Sequence, residues 1–423
     1  MDMQLSRIKA KLGEVANSPG RFTSFGAEKH AYRLNPPVPE SSVAAFEAGH
    51  GIVLPESYRR FITELGDGGA GPGYGLLTLA HAYGEVSDSF PGHLAEPSPF
   101  VPGTRYAQGW WDDFWGPDDR PDPLQGTLAV VHHGCTSYTQ LVVSGPGHGR
   151  LVNVDLNGVP APYVLEDEDF LSWYERWLNE LLAGYDVTWF GEKIPGDETG
   201  LLGILADAPS PHRRARAARS LRALRALPVI SQTAAEALAR AATDASPLVR
   251  EAVMEVAWRS EVRSIKSAAR AALSDPEAPV RAEAISVLRA LGTADVAERA
   301  RLLLADPDRE VRWRAMWALA DSGRMIAADL APLITGHDAR TRESATYFLI
   351  RAQGEAHGLL ARALGDENPA VRRQAVQTAE QRNERTLLTN MERMLQIEVD
   401  GYVRVNLDRV IAAWSGDRPH RLG

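Results

Sequence analysis

The sequence predicts an α+β domain over residues 1–195 followed by an all-α repeat solenoid over residues 196–423. Three observations carry this reading. In the second half a Val-Arg pair recurs, with arginines at 250, 281, 312, 342, 372 and 404. Those spacings of thirty to thirty-two residues fit two short helices and their turns. In the first half, β-branched runs punctuated by glycine turns lie between helical patterns, which argues for antiparallel strands flanked by helices. Composition and charge break at the same place, near Ile194–Gly200. Residues 1–200 hold 13 basic and 27 acidic side chains, a net of −14, and residues 201–423 hold 33 and 28, a net of +5.

Leu5, Ile8, Leu12 and Val15 give a first helix one apolar face. Residues 17–40 are polar and Pro-rich and read as a loop. A second helix opens at Pro39, with Val43 and Phe46 on one side, and closes at Gly49–Gly51. Pro55 suits the first turn of a third helix. Its Tyr58, Phe61, Ile62 and Leu65 recur at spacings of three and four, and Gly66 reads as the left-handed residue that stops it. A Gly-rich loop runs to Gly75, and Leu76–Leu79 predicts the first strand. Residues 80–126 form a long Pro-, Gly- and aromatic-rich segment containing Trp110-Trp-Asp-Asp-Phe-Trp115. A segment of that length carries function or its own small core. Thr127–Val131, Thr139–Val143 and Arg150–Val154 predict strands. Gly145–Gly149 is the turn between the last two, and Asn157-Gly158 is a further hairpin signal. Asp167–Leu182 predicts a closing helix with Phe170, Trp173, Trp177 and Leu181 on its buried face.

The repeat units read Asp244-Ala-Ser-Pro-Leu-Val-Arg250, Asp275-Pro-Glu-Ala-Pro-Val-Arg281, Asp306-Pro-Asp-Arg-Glu-Val-Arg312, Gly336-His-Asp-Ala-Arg-Thr-Arg342, Asp366-Glu-Asn-Pro-Ala-Val-Arg372 and Glu398-Val-Asp-Gly-Tyr-Val-Arg404. Asp207 to Arg213 looks like a degenerate first unit. Most of these arginines follow an acidic residue by four to six positions, so pairing within the unit is available. A net of +5 over more than two hundred residues is a thin footprint for nucleic acid.

Little in the chain signals chemistry. The Gly-rich loop runs from helix to strand and lacks a Gly-Lys-Ser/Thr ending, the reverse of nucleotide fingerprints. His132, His133, Cys135 and His148 are the one metal-like group, but neighbours on a strand point to opposite faces. No metal and no cofactor are expected, and no catalytic constellation is visible. A single cysteine excludes an internal disulfide. No apolar run approaches the ~18 residues of a membrane span, and the first residues lack a signal-peptide core. Together these point to the cytoplasm. Trp110–Trp115 reads either as core pinning the long segment or as an aromatic hot spot with an acidic rim. The loop residues expected to meet a partner are Asp67, Tyr74, Trp110, Asp112, Asp113 and Trp115.

Three stretches together resemble the SUKH superfamily. They are Gly51-Ile-Val-Leu-Pro-Glu-Ser-Tyr-Arg-Arg-Phe-Ile62 with Leu65-Gly-Asp-Gly-Gly69; Gly134-Cys-Thr with Leu141–Gly145 and Gly149–Asp155; and Phe170-Leu-Ser-Trp-Tyr-Glu-Arg-Trp-Leu178. The resemblance covers about residues 35–185. Thr136 stands where the family often has glycine, and the family's tryptophan near Val152–Asn153 is missing. The second half resembles short HEAT-like repeats through its Asp-Pro-x-x-x-Val-Arg signature. Bacterial SUKH proteins commonly neutralise toxins, so the resemblance implies a non-enzymatic immunity protein. Its partner would be a basic toxin or nuclease, which suits an acidic domain. Two alternatives stay open: a HEAT-like solenoid that binds or repairs nucleic acid, and a structural adaptor.

Overall fold

The computed structural model describes residues 3–82, 92–106, 110–113, 122–157, 161–224 and 230–416. The chain divides into two compact units, Met1–Pro209 with Arg216–Val229, and Ser210–Ala215 with Ile230–Gly423. Most of it is helical, and the strands form one small antiparallel sheet. Among the described residues no helix is long and apolar enough to cross a membrane.

The first unit holds helices α1 (Met3–Asn17), α2 (Ala27–His30), α3 (Glu40–His50), α4 (Glu56–Glu64) and α5 (Leu79–Ala82). Strands β1 (Thr127–Gly134), β2 (Ser137–Val142), β3 (Leu151–Asp155) and β4 (Tyr163–Val164) follow, then α6 (Phe170–Leu182), α7 (Glu198–Asp207) and part of α8 (Pro211–Ser220). The four strands lie in sequence order, each antiparallel to the next. The period of two sorts their side chains between two cores. Leu128, Val130, Leu141 and Leu151 join a large core with Tyr58, Phe61, Phe170, Trp173 and Trp177 from the helices. Ala129, Tyr138, Val142, Val152 and Val154 join a smaller one with Phe100 and Trp111. The described part of segment 80–126 therefore supplies aromatic core, Phe100 and Trp111, for the second face of the sheet. Leu5, Ile8, Leu12 and Val15 are buried on α1 as their spacing requires. Arg7 and Lys11 tie α1 to α6 through Glu175, at 2.8 and 2.7 Å. The Arg7 hydrogen bond is the main reason the Glu175 carboxyl sits at about 2.

Two local expectations fail for long-range reasons. Leu76–Leu79 is not a strand. Leu76 makes only isolated bridges to Gly69 and Val131, and the Leu79 N–H then turns onto the Asp67 carboxylate at 2.8 Å to start α5. Gly66 does stop α4, but its φ is not positive. It is glycine because a Cβ there would lie 2.4 Å from the Asn35 carbonyl oxygen.

The second unit is a stack of helix pairs. Their first helices are α9 (Gln232–Ala241), α11 (Lys266–Ala272), α13 (Val296–Leu303), α15 (Ala327–Ile334), α17 (His357–Leu364) and α19 (Leu388–Ile397). Their second helices are α10 (Pro247–Arg259), α12 (Ala278–Ala290), α14 (Arg309–Asp321), α16 (Ala339–Phe348), α18 (Pro369–Gln381) and α20 (Gly401–Ser415). Each Val-Arg pair falls in the first turn of a second helix. The second helices pack on one another more closely than the first helices do, so they form the inner layer of the stack. Ala284, Ala315 and Ala375 are fully buried where these helices approach.

The repeated arginines make a ladder between units. Arg250 grips Asp275 at 2.7 and 2.9 Å, Arg281 grips Asp306 at 2.7 and 2.8 Å, and Arg342 grips Asp366 at 2.7 and 2.9 Å. Arg372 holds Glu398 in the same bidentate way, at 2.7 and 2.6 Å. The carboxylate thus belongs to the following repeat and not to the arginine's own. The preceding acidic residue contributes its backbone instead: Arg281 Nη1 donates to the carbonyls of Asp275 (2.8 Å) and Pro276 (3.0 Å). The first unit of the ladder is also one residue out from the sequence reading. Arg214, not Arg213, forms the bidentate pair, with Asp244 at 3.0 and 2.9 Å. Arg312 is the exception: where its neighbours meet an aspartate it faces Gly336, and it bonds Asp338 at 3.3 Å and Thr341 at 2.8 Å.

Burial alone would raise the carboxyls of Asp275, Asp306 and Asp366, but the arginines and the turn N–H groups outweigh it and hold them below the ordinary range. Such groups stabilise the fold above their unfolded-state values near pH 4, and that contribution drains as pH falls through the lower folded values. Asp306→Ala would strand a nearly buried guanidinium and should cost about 3 kcal/mol, read by chemical denaturation or as faster amide exchange in α12 and α14.

Candidate partner-binding surfaces

Of the six loop residues singled out from the sequence, Asp67, Tyr74 and Trp110 have described side chains, and each sits among different neighbours. Asp67 is half-buried; its carboxylate caps α5, and its backbone oxygen receives Asn35 Nδ2 at 3.0 Å. Burial pushes its pKa up, against the pull of the Leu79 N–H. Tyr74 is exposed and its N–H bonds the His132 carbonyl at 3.0 Å, which docks the glycine loop beside β1. Trp110 is half-buried against Phe100, Tyr106 and Trp111, with ring centres 5.0 to 5.5 Å away. Trp111, its neighbour, is core. Asp112 and Asp113 complete the 3-10 turn Trp110–Asp113, but their side chains, and all of Trp115, lie outside the described residues.

Tyr74 belongs to a row of rings that local sequence did not reveal. Phe25 leans on Tyr74 at 5.1 Å, Tyr74 meets His132 at 5.5 Å, and His132 stacks flat on Tyr138 at 4.5 Å. Phe25 and Tyr74 are the exposed end of the row. His133, on the opposite side of the strand, is buried and bonds the Thr139 hydroxyl at 2.7 Å. Thr139 in turn reaches Asn153 Oδ1, also at 2.7 Å. His148 turns to the Val53 carbonyl. Among the described residues no three His, Cys, Asp or Glu side chains could hold a metal.

The second unit presents a different surface, on the inner layer. Trp313 and Trp317 lie one helical turn apart on α14, ring centres 6.0 Å apart. Trp317 meets Phe348 of α16 edge-on at 5.1 Å, and Tyr347 meets the same ring at 5.3 Å. Trp313 and Tyr347 are 38% and 40% exposed, which makes them the accessible part of this cluster. The Trp317 indole N–H is buried and finds no acceptor. Charges around the cluster close on each other within and between helices. Arg314 reaches Glu283 at 3.3 Å and Glu310 at 2.7 Å; Arg289 and Arg351 share Asp321 at 3.1 and 2.9 Å. Arg373 pairs with Glu343 at 3.7 Å, and Arg409 grips Glu380. Trp258 donates its indole N–H to Glu283, whose carboxyl burial raises against the pull of Arg314. The sequence held a signal for this cluster: Trp313 and Trp317 occupy positions that carry Ala282 and Ser286 one repeat earlier and Glu343 and Tyr347 one repeat later.

Residues 265–350 match the model of the HEAT repeats family. No curated protein matches the chain. Among solved structures, the chain is similar to the Escherichia coli protein YibA, at 17% identity over 58% of this chain and 89% of that one, with a TM-score of 0.42. A HEAT-like repeats protein of the archaeon Thermococcus onnurineus NA1 matches at 13% identity over 53% and 98%, TM-score 0.36. The CpcE–CpcF complex of phycocyanin lyase from Nostoc sp. PCC7120 matches at 16% over 59% and 91%, TM-score 0.30.

Burial lowers the His133 pKa from 6.5 to about 4. The unfolded chain therefore binds the proton first, and stability is full above pH 6.5 and falls as pH drops towards 4. The expected loss from this one residue is about 3 kcal/mol. The first unit should accordingly weaken at milder acidity than the carboxylate-locked repeats, and His133→Asn should make its stability profile shallower between those pH values, as followed by tryptophan fluorescence, leaving the share of His30, whose pKa burial also lowers to about 4.

Proposed function

We propose that this chain is a non-enzymatic protein-binding protein, with the inner layer of its repeat array as a principal contact surface. The carrying observation is the internal neutralisation of that layer. Arg289, Arg314, Arg351, Arg373 and Arg409 are engaged by glutamates and aspartates of adjacent helices, and the ladder arginines Arg250, Arg281, Arg342 and Arg372 are engaged by the next repeat. A nucleic-acid surface needs rows of cations available to phosphates. An exposed Trp and Tyr with a charged rim is instead the composition of a protein hot spot, and solenoids offer extended concave surfaces for such contacts.

In the finer reading the partner is a toxin that the protein neutralises. The SUKH resemblance of residues 35–185 and the net of −14 over residues 1–200 support it, since an acidic surface complements a basic nuclease. Asp67, Tyr74, Trp110, Asp112, Asp113 and Trp115 are its contact residues on that side.

Full-length protein immobilised as bait at low salt should retain a specific protein from its own cell. Trp313→Ala with Tyr347→Ala should weaken that complex by about 2 kcal/mol or more while leaving the melting curve in place. Retention of duplex DNA with no protein partner overturns the binding reading. The toxin reading is tested by co-expression with a basic secreted nuclease encoded beside it: protection of growth is expected, and unprotected cells overturn it.

A further inference from the structure

The turn from α19 into α20 carries Ile397, Val399, Tyr402 and Val405, which are 80%, 91%, 77% and 67% exposed. Single exposed apolar side chains are ordinary, but four within nine residues form a patch of the kind that marks an interaction surface. The side chains that face the core from α20 are others, Val403, Leu407 and Val410.

Beside the patch the repeat pattern changes in two ways. Elsewhere the Val-Arg arginine ends on a carboxylate. Arg404 instead places Nη1 on the carbonyls of Leu395 (3.1 Å) and Glu398 (2.9 Å), and among the described residues no carboxylate meets its Nε or Nη2. One turn later stands Asp408. The same position holds Met254, Ile285, Met316, Thr346 and Val376 in the preceding second helices, all of them buried, whereas Asp408 is exposed. Arginine followed by aspartate at this spacing is the weaker orientation for a pair within one helix, and the two make no ion pair here. A guanidinium and a carboxylate one turn apart thus lie on the exposed side of one helix, next to apolar side chains. That surface is complementary to itself.

We propose that α20 is the seat of a homodimer. Two copies meet with their α20 helices antiparallel about a two-fold axis that lies midway between Arg404 and Asp408, on the helix face that carries both. Arg404 of each copy then lies against Asp408 of the other, as a two-fold interface requires of any unlike pair. Tyr402, Val405, Val399 and Ile397 pack around the two ion pairs. The inference goes beyond the binding role of the inner layer and does not depend on the identity of that partner.

Sedimentation velocity of the full chain between about 1 and 100 μM tests it, a range that brackets micromolar association. A concentration-dependent dimer is expected. Arg404→Asp and Asp408→Arg each bring like charges together and should each raise the dissociation constant about tenfold or more. The double swap should restore the dimer. Val405→Glu touches no hydrogen bond of the fold and should give monomer with an unchanged melting curve. A monomer throughout the range overturns the proposal. So does a dimer that survives Val405→Glu, or a double swap that recovers no association.

Discussion

One guanidinium per repeat does two jobs in the second unit. Its Nη1 closes the turn of its own repeat by gathering two carbonyls, and its Nε and Nη2 reach a carboxylate of the next repeat. The same carboxylate residue lends its backbone oxygen to the next arginine, so turn geometry and stacking are fixed by one set of atoms. A planar fork suits this better than an ammonium, because both oxygens and both N–H groups align at once. The net stability of a buried pair over an apolar pair is small. What the ladder supplies is register: a repeat that slid or rotated would strand a buried charge.

The ladder also changes the meaning of the charge count. A surplus of five positive charges over residues 201–423 suggests a weakly basic solenoid. In three dimensions the most regular arginines are turned into the joints, and a second series on the inner layer is closed by Glu283, Glu343, Glu380 and Asp321. Around Trp313 and Tyr347, what stands out for a partner is aromatic surface. Charge remains important in the other unit, where the acidic excess lies.

Sequence legibility followed the range of the forces involved. The face of α1 and the Val-Arg period were readable because helical spacing and repetition are local signals. The direction of the arginine pairing was not, because Asp306 precedes Arg312 in sequence yet receives Arg281 in space. Leu76–Leu79 has strand composition, but a carboxylate twelve residues earlier caps it into a helix. The ring row from Phe25 to Tyr138 draws on four separate segments and had no local signature. Trp313 and Trp317 were in plain view, but aligning repeats on their shared residues hides the positions where one repeat differs.

The joint between α14 and α16 is built unlike the others. Gly336 replaces the aspartate, so Arg312 has a single longer bond to Asp338 and a threonine hydroxyl in place of a bidentate carboxylate. The ladder bond is weakened here, and a backbone bridge between Ile326 and Gln353 and the pair Arg351–Asp321 tie the two repeats in its place. The Trp317–Phe348 contact spans that joint. A molecule seated on the aromatic cluster would therefore touch both sides of the joint whose ladder bond is weakened, and would clasp two repeats along with its own position.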